Sequence, residues 1–192
     1  GHTAGPLGMV DILVVLYFNI LKHDSSNPDW GERDRVIYSH GHTCPALYTV
    51  LAEAGYFPKS ELDTLRKFKS SLQGHPHKEW TKGIETSSGP RGSGLSQTVG
   101  MALAERIDNK DSDKKFYCLM SDGELQEGQV WEALMLGAYK KLNNLKDKIL
   151  KMIDTELNTV VTDAFDNQNN INEVAKLYIN KIIQDNIENH LT

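Results

Sequence analysis

An acidic turn that contains glycine is the strongest chemical signal in the sequence. Residues 116–120 form an apolar run of strand length, residues 121–128 read Ser-Asp-Gly-Glu-Leu-Gln-Glu-Gly, and helical spacing of apolar residues follows from Val130. In open α/β sheets, ligands bind at the carboxyl ends of strands. A carboxylate there, such as Asp122, can hold Mg²⁺ or Ca²⁺ that bridges phosphate oxygens. The alternative is an acidic surface turn, because Asp-Gly is a common turn dipeptide.

A second candidate for anion binding is the segment Gly-Pro-Arg-Gly-Ser-Gly at residues 89–94, directly before a helical pattern that starts at Leu95. Glycines let backbone amides approach a phosphate closely, and a helix amino terminus favours negative charge. Glycines before a helix also serve as simple turns. The spacing alone leaves both interpretations open.

Histidines in predicted loops are the third signal. Each lies beside glycine or proline: His2, His40, His42, His75 and His77. Imidazole can donate hydrogen bonds to hydroxyls or phosphates and can move protons near neutral pH. The alternative for any one of them is a solvent-facing loop histidine. No zinc spacing such as Cys-x-x-Cys or His-Glu-x-x-His is present.

The elements that must position these groups alternate between helix and strand. Apolar periodicity predicts helices at residues 5–22, 47–54, 62–68, 95–103 and 130–142, and strands at residues 35–38 and 116–120. Ser60 resembles the start of a capping box for the short helix. Alternation of this kind predicts a mostly parallel α/β sheet flanked by helices over residues 1–145. Residues 146–192 keep helical spacing, and we expect a helical carboxy-terminal tail there.

Composition excludes several classes of function. The chain of 192 residues carries a net charge of −5 and has no basic stripe, which argues against a nucleic-acid partner. No apolar run approaches the roughly 20 residues of a membrane span, and no secretory signal is visible. Cys44 and Cys118 lie far apart among apolar neighbours, which indicates reduced core thiols and a cytoplasmic location. The first residues read as the inside of a motif, so we expect a truncated start.

Five loop motifs, in their order along the chain, resemble the diphosphate-binding domain of transketolases. The motifs are GHTAGPLG at 1–8, SHGH at 39–42, GHP at 74–76, ETSSGP at 85–90 and SDGELQEG at 121–128. The resemblance covers residues 1 to about 145, and five motifs in fixed order are far more specific than any one alone. The form LQEGQVWEA resembles in particular the amino-terminal subunits of split transketolases.

The resemblance implies a role for each matching residue. Asp122 would ligate the metal, Mg²⁺ or Ca²⁺, and His42 would lie beside thiamine diphosphate. Further cofactor contacts are implied for Gly89, Pro90, Arg91, Gly123 and Glu124. The implied catalytic residues are His2 and His75 at the sugar phosphate, His42 at the cofactor, and Glu127 in an acidic network near the subunit interface.

The implied activity is transfer of a two-carbon ketol unit between sugar phosphates by a cytoplasmic, dimeric transferase of the pentose phosphate pathway. The cofactor provides the chemistry, and the protein provides orientation and acid–base groups. In the family, a pyrimidine-binding domain covers the other half of the cofactor. This chain has no room for that domain, so a partner subunit or a missing carboxy-terminal part would provide it, within a homo- or hetero-oligomer.

The sequence departs from the family pattern at three places. Ser121 replaces a glycine, which would be strained if the backbone there required a positive φ. Arg91 and Ser93 replace a leucine and a glutamine, and an arginine could contact a diphosphate directly. The asparagine metal ligand of the family has only a poor match in Asn158, to which we assign no role.

Two alternatives follow from these departures and from the wider set of thiamine diphosphate enzymes. One is a noncatalytic or degenerate interaction subunit. The other, a 2-oxo acid dehydrogenase or a deoxyxylulose phosphate synthase, is disfavoured by the LQEG form and the GHP motif.

Overall fold

The computed structural model describes the backbone of residues 4–150 and the side chains of residues 4–145. The helices are α1 (Ala4–Val15), α2 (Cys44–Glu53), α3 (Ser93–Asp108) and α4 (Gly128–Tyr139). The strands are β1 (Arg35–Tyr38), β2 (Phe116–Ser121) and β3 (Leu145–Leu150). A π-helical turn (Leu16–Ile20) extends α1, and short 3₁₀ turns cover Gly41–Thr43, Lys59–Thr64 and Asp122–Gln126.

The three strands form one parallel sheet in the order β1-β2-β3. Phe116 of β2 is in register with Arg35 of β1 and with Leu145 of β3. The central strand β2 is buried along nearly its whole length, as expected for a parallel strand covered by helices on both faces. The predicted α/β class with a parallel sheet is confirmed.

Alternate side chains of β2 enter two separate cores, because successive residues of a strand point to opposite faces. Tyr117 and Leu119 join the core of α1 and α2, whereas Phe116, Cys118 and Met120 join the core of α3 and α4. The sheet is therefore the middle layer of an α/β/α arrangement. Cys44 and Cys118 are buried in the core and form no disulfide, as predicted. None of the helices within the described residues is long and apolar enough to cross a membrane.

The prediction of a helical tail is wrong for residues 146–150, its first five residues. Residues 146–150 belong to β3, which pairs with the edge of β2 that β1 leaves free. The spacing of Leu145, Ile149 and Ile153 suited a helix, but the backbone groups of β2 offer a continuous line of hydrogen-bond partners that overrides local periodicity. The proposed boundary after residue 145 therefore falls inside a strand. The rest of the tail, residues 151–192, lies outside the described residues.

The predicted short helix at 62–68 is also wrong. The observed element is the 3₁₀ turn Lys59–Thr64, no side chain caps it, and Pro58 rather than Ser60 precedes it. Phe68, expected on its buried face, is 92% exposed. A segment this short forms no stable helix without a buried face to hold it.

Candidate functional site

Three loops meet at the carboxyl edge of the sheet and, together with Gly5 and Met9 of α1, line a cavity of about 240 Å³. They are the turn after β1, the turn after β2 and the glycine-rich loop before α3. The carboxyl ends of parallel strands lie at one edge of a sheet, so the chain brings these loops together from distant parts of the sequence. The predicted residues that line the cavity are His42, Gly89, Arg91, Asp122, Gly123 and Glu124.

The turn after β2 is unstrained. Ser121 has φ −89° and ψ 158°, which is extended backbone that any residue adopts. It forms a capping box with Glu124: the Ser121 amide and hydroxyl donate to Glu124 Oε2 at 2.8 and 3.2 Å. The condition for strain at Ser121 is therefore not met, and the serine contributes a cap that a glycine could not.

Asp122 lies exposed at the cavity, directly after β2. One of its carboxylate oxygens accepts a hydrogen bond of 2.8 Å from the Gly123 amide, and a side chain added at Gly123 would meet nothing within 4 Å. Among residues 4–145, no three His, Cys, Asp or Glu side chains are grouped so that they could hold a metal.

Glu124 is only 1% exposed, and protein donors occupy both of its carboxylate oxygens. Besides the two bonds from Ser121, Oε1 accepts hydrogen bonds from the Ser39 hydroxyl and from the Gly92 amide, the latter at 2.9 Å. A buried carboxylate requires such donors because its desolvation is otherwise costly. The structure thus gives this carboxylate an internal role, and the cofactor contact that the resemblance implied for it stays a prediction.

The amino terminus of α3 is already occupied as well. Gly92 has φ 74° and donates to Glu124, and the Gly94 amide donates to the Ser39 hydroxyl at 3.2 Å. A Cβ on Gly94 would overlap the Ser39 side chain and lie 2.9 Å from its Cα, so glycine is required for close packing. The hypothesis that these two amides cradle an external phosphate is therefore not supported by the geometry.

The first part of the glycine-rich loop remains open to the cavity. A Cβ on Gly89 would meet nothing within 4 Å, and Arg91 is exposed at the rim. Gln129 donates to the Arg91 carbonyl at 2.7 Å and holds that part of the backbone. Pro90 is exposed and does not line the cavity.

His40 differs from the other histidines, although the sequence offered no signal to separate it. It is 4% exposed, its ring stacks on Tyr38 at 4.3 Å, and Nδ1 lies 2.9 Å from the Leu119 carbonyl. A carbonyl only accepts, so Nδ1 carries the proton. Burial lowers the pKa of His40 to about 4. Nε2 is therefore an unprotonated acceptor near pH 7, and within the described part of the chain it has no hydrogen-bond partner.

Of the remaining predicted residues that the structure describes, His42 lines the cavity, whereas His75 and Glu127 lie outside its lining. His42 is half-buried at the wall, 6.4 Å from the His40 ring. His75 is exposed, and its Cδ2 lies 3.1 Å from where a Cβ on Gly41 would be, so it packs against the His40–His42 turn. Glu127 is half-buried beside Gly92, outside the lining. His2 lies outside the described residues.

A buried ion cluster that sequence reasoning missed anchors the loop at residues 85–90. Glu85, 6% exposed, binds Arg33 through one carboxylate oxygen and Arg35 through the other, the second at 3.2 Å. Arg33 and Glu85 are 52 residues apart in the chain. The cluster ties the start of this loop to the start of β1.

Comparison with known proteins identifies the family of the chain. Residues 1–179 match the family described as "Transketolase, thiamine diphosphate binding domain". The resemblance therefore extends beyond residue 145, where sequence inspection ended it. Curated relatives include the 6-deoxy-6-sulfo-D-fructose transketolase subunit of a Clostridium species, 43% identical, and the apulose-4-phosphate transketolase subunit of Actinobacillus succinogenes, 44% identical. Each alignment covers 76% of this chain and 52% of the relative.

Solved structures agree too. Transketolase from Campylobacter jejuni superposes with a TM-score of 0.73 and 34% identity, over 94% of this chain and 32% of that one. Transketolase from Leishmania mexicana gives a TM-score of 0.69 at 31% identity, over 82% and 27%. The chain thus spans about half the length of the two transketolase subunits and about a third or less of the length of the two solved transketolase chains. On the match over residues 1–179, the chain belongs to the transketolase family, through its thiamine diphosphate-binding domain.

Proposed function

We propose that this chain contributes the diphosphate-binding half of a thiamine diphosphate- and Mg²⁺-dependent transketolase site. The observation that carries the proposal is the cavity at the carboxyl edge of the sheet, where Asp122, Arg91 and His42 converge on one space. An acidic metal ligand and a guanidinium together suit a diphosphate held through a divalent cation.

The residues present fit both groups. Mg²⁺ is commonly bound by one or two carboxylates together with substrate phosphates and waters, so the single carboxylate of Asp122 is a sufficient protein ligand when a diphosphate provides the others. The open space at Gly89 and Gly123 leaves room for phosphate oxygens to approach the backbone. We assign no second protein ligand.

The size of the cavity supports a shared site. A cavity of about 240 Å³ is smaller than the roughly 300–1,000 Å³ that encloses a whole organic ligand. The opposite wall would come from a pyrimidine-binding domain, carried by a partner subunit or by a further part of the protein. Two relatives are themselves named as subunits of transketolases, which supports the first arrangement.

Each predicted residue then has a defined task. Asp122 holds the metal, and Arg91 neutralises diphosphate charge. His42 holds or moves a proton beside the cofactor. His2 and His75 bind the substrate, and Glu127 joins the acidic network towards the partner. When bound, thiamine diphosphate provides the electron sink for cleavage and formation of the carbon–carbon bond.

Sugar phosphates are the proposed substrate class. The names of two relatives specify a sulfonated ketose and apulose-4-phosphate, so an anionic ketose is the property they share. A cytoplasmic oligomer acting in the pentose phosphate pathway remains our expectation from the resemblance. The competing proposal, a noncatalytic interaction subunit, draws its support from Asp122 standing outside any three-residue ligand group in the described part of the chain.

Calorimetric titration of the chain with thiamine diphosphate, with and without Mg²⁺, tests the half-site. We expect a Kd near about 100 µM, equivalent to roughly 5.5 kcal/mol, only when Mg²⁺ is present. Asp122→Asn should weaken this binding at least about tenfold, or ~1.4 kcal/mol. The control, Asp108→Asn, changes an exposed carboxylate at the far end of α3 and should bind as the parent does. Absence of metal-dependent binding, or equal binding by Asp122→Asn, would contradict the proposal.

A further inference from the structure

The amino terminus of α3 already holds an anion, which is the chain's own Glu124 carboxylate. We propose that Glu124, together with Ser39, is a positioning residue that presets the diphosphate site before any ligand binds. The inference rests on the proposed function, because it concerns the same cavity. It assigns neither residue a direct contact with cofactor or metal.

The carboxylate joins three loops that are far apart in sequence. Its donors are the Ser39 hydroxyl after β1, the Gly92 amide before α3, and the Ser121 amide and hydroxyl at the end of β2. Ser39 extends the network, because its oxygen also accepts from the Gly94 amide. These are the three loops that line the cavity.

The network holds the backbone residue next to each of the two charged cavity residues. Ser121, which Glu124 holds by two hydrogen bonds, immediately precedes Asp122. Gly92, which Glu124 holds by one, immediately follows Arg91. A change at Glu124 must therefore alter how the metal ligand and the guanidinium face each other, although Glu124 itself lies beneath them at 1% exposure.

The Glu124 and Ser39 side chains at the amino terminus of α3 also determine which groups can neutralise the charge of a diphosphate. The Gly92 and Gly94 amides already donate to Glu124 and Ser39. Arg91 and a metal on Asp122 therefore neutralise more of the diphosphate charge than they would if these amides were available to the ligand. Arg91, which stands where the family usually has leucine, then becomes a contributor to affinity whose effect depends on Glu124.

The test uses Glu124→Gln, an isosteric change that lacks a second acceptor oxygen. Whichever way the glutamine amide lies, one backbone amide that donates to Glu124, that of Ser121 or that of Gly92, would then face an NH₂ group. Ser39→Ala is the milder variant, in case Glu124→Gln does not fold. Glu105→Gln is the control: it makes the same change on the distal half of α3, where Glu105 pairs with Lys114 at 2.6 Å.

We would measure the Kd of thiamine diphosphate with Mg²⁺ at a temperature where thermal unfolding shows each unliganded variant to be folded. Glu124→Gln should raise the Kd at least about tenfold, Ser39→Ala should raise it less, and Glu105→Gln should leave it unchanged. Arg91→Leu should weaken binding in the parent but add little to Glu124→Gln, because the two act as one unit. Unchanged Kd in a folded Glu124→Gln, or fully additive effects with Arg91→Leu, would overturn the inference.

Amide hydrogen exchange of the ligand-free chain separates this inference from the proposed function. Glu124→Gln, or Ser39→Ala if the former is unfolded, should speed exchange at Gly92 and Gly94 but not at the carboxyl end of α3. If the parent binds no cofactor yet these amides lose protection, the function proposal fails and the positioning network stands. If protection is unchanged, Glu124 does not position the loops.

Discussion

We expect the folding stability of the wild-type chain to depend on pH between about pH 6.5 and 4, and replacing His40 with asparagine should remove this dependence. Burial lowers the pKa of His40 from its ordinary 6.5 to about 4, and His42 adds to this effect, while Glu124 and the Leu119 carbonyl oppose it. An unfolded chain takes up the proton near pH 6.5, whereas the folded chain does so only near pH 4. Stability contributed by neutral His40 is therefore lost as the pH falls through this interval.

The expected loss of unfolding free energy follows from the difference between the pKa of His40 in the unfolded and in the folded chain. At about 1.36 kcal/mol for each pH unit, a pKa of about 4 in place of 6.5 corresponds to about 3 kcal/mol of unfolding free energy. Urea unfolding between pH 7.5 and 4 would measure it. Asparagine keeps an N–H that can donate to the Leu119 carbonyl but has no titrating group. Carboxylates titrate at the lower end of the same range, so the informative quantity is the difference between wild type and variant.

His75→Asn is the matched control, because it makes the same substitution at a position that is exposed in the folded chain. Identical slopes in wild type and His40→Asn would refute the reasoning. So would a nitrogen NMR spectrum in which Nε2 of His40, not Nδ1, carries the proton near pH 7, because the bond to Leu119 requires the opposite tautomer.

Two further substitutions test the packing beneath the site. In α3, Gly94→Ala should lower the free energy of unfolding by about 1–3 kcal/mol, because the added Cβ would overlap Ser39. Gly100→Ala should raise it by about 0.5–1 kcal/mol, because a Cβ at Gly100 would meet nothing within 4 Å. Equal unfolding midpoints for the two variants would contradict this. Glu85→Gln should destabilise by about 3–5 kcal/mol, since it leaves the buried Arg33 without its full counter-charge. A loss below about 1 kcal/mol in urea unfolding would mean that the ion pair contributes little.

Much of the fold was readable from local pattern. The strand at 116–120 followed from an unbroken apolar run, and the helices around it followed from spacing near 3.6 residues. Both signals depend on neighbours within one or two turns, so they survive without tertiary information. The same method failed at 145–150, where helical and strand patterns overlap and pairing with β2 decided the outcome.

For the candidate site, too, the sequence predicts some features and not others. Asp122, Gly123 and Arg91 were identified because their loops follow a strand or precede a helix, and the structure places all three at one cavity. Sequence could not distinguish buried His40 from exposed His75, since both lie beside glycine in a loop. Nor could it pair Arg33 with Glu85 across 52 residues.

By itself, the sequence determined the class of sheet, the loops that carry the chemistry and the family to which those loops belong. Only the tertiary structure decided that Glu124 faces inward, that the Gly92 amide before α3 donates to this carboxylate, and that residues 145–150 form a strand. The physical reason is that periodicity and motif spacing are properties of contiguous residues. A hydrogen-bond partner or a neighbouring strand depends on which distant segments the fold brings together.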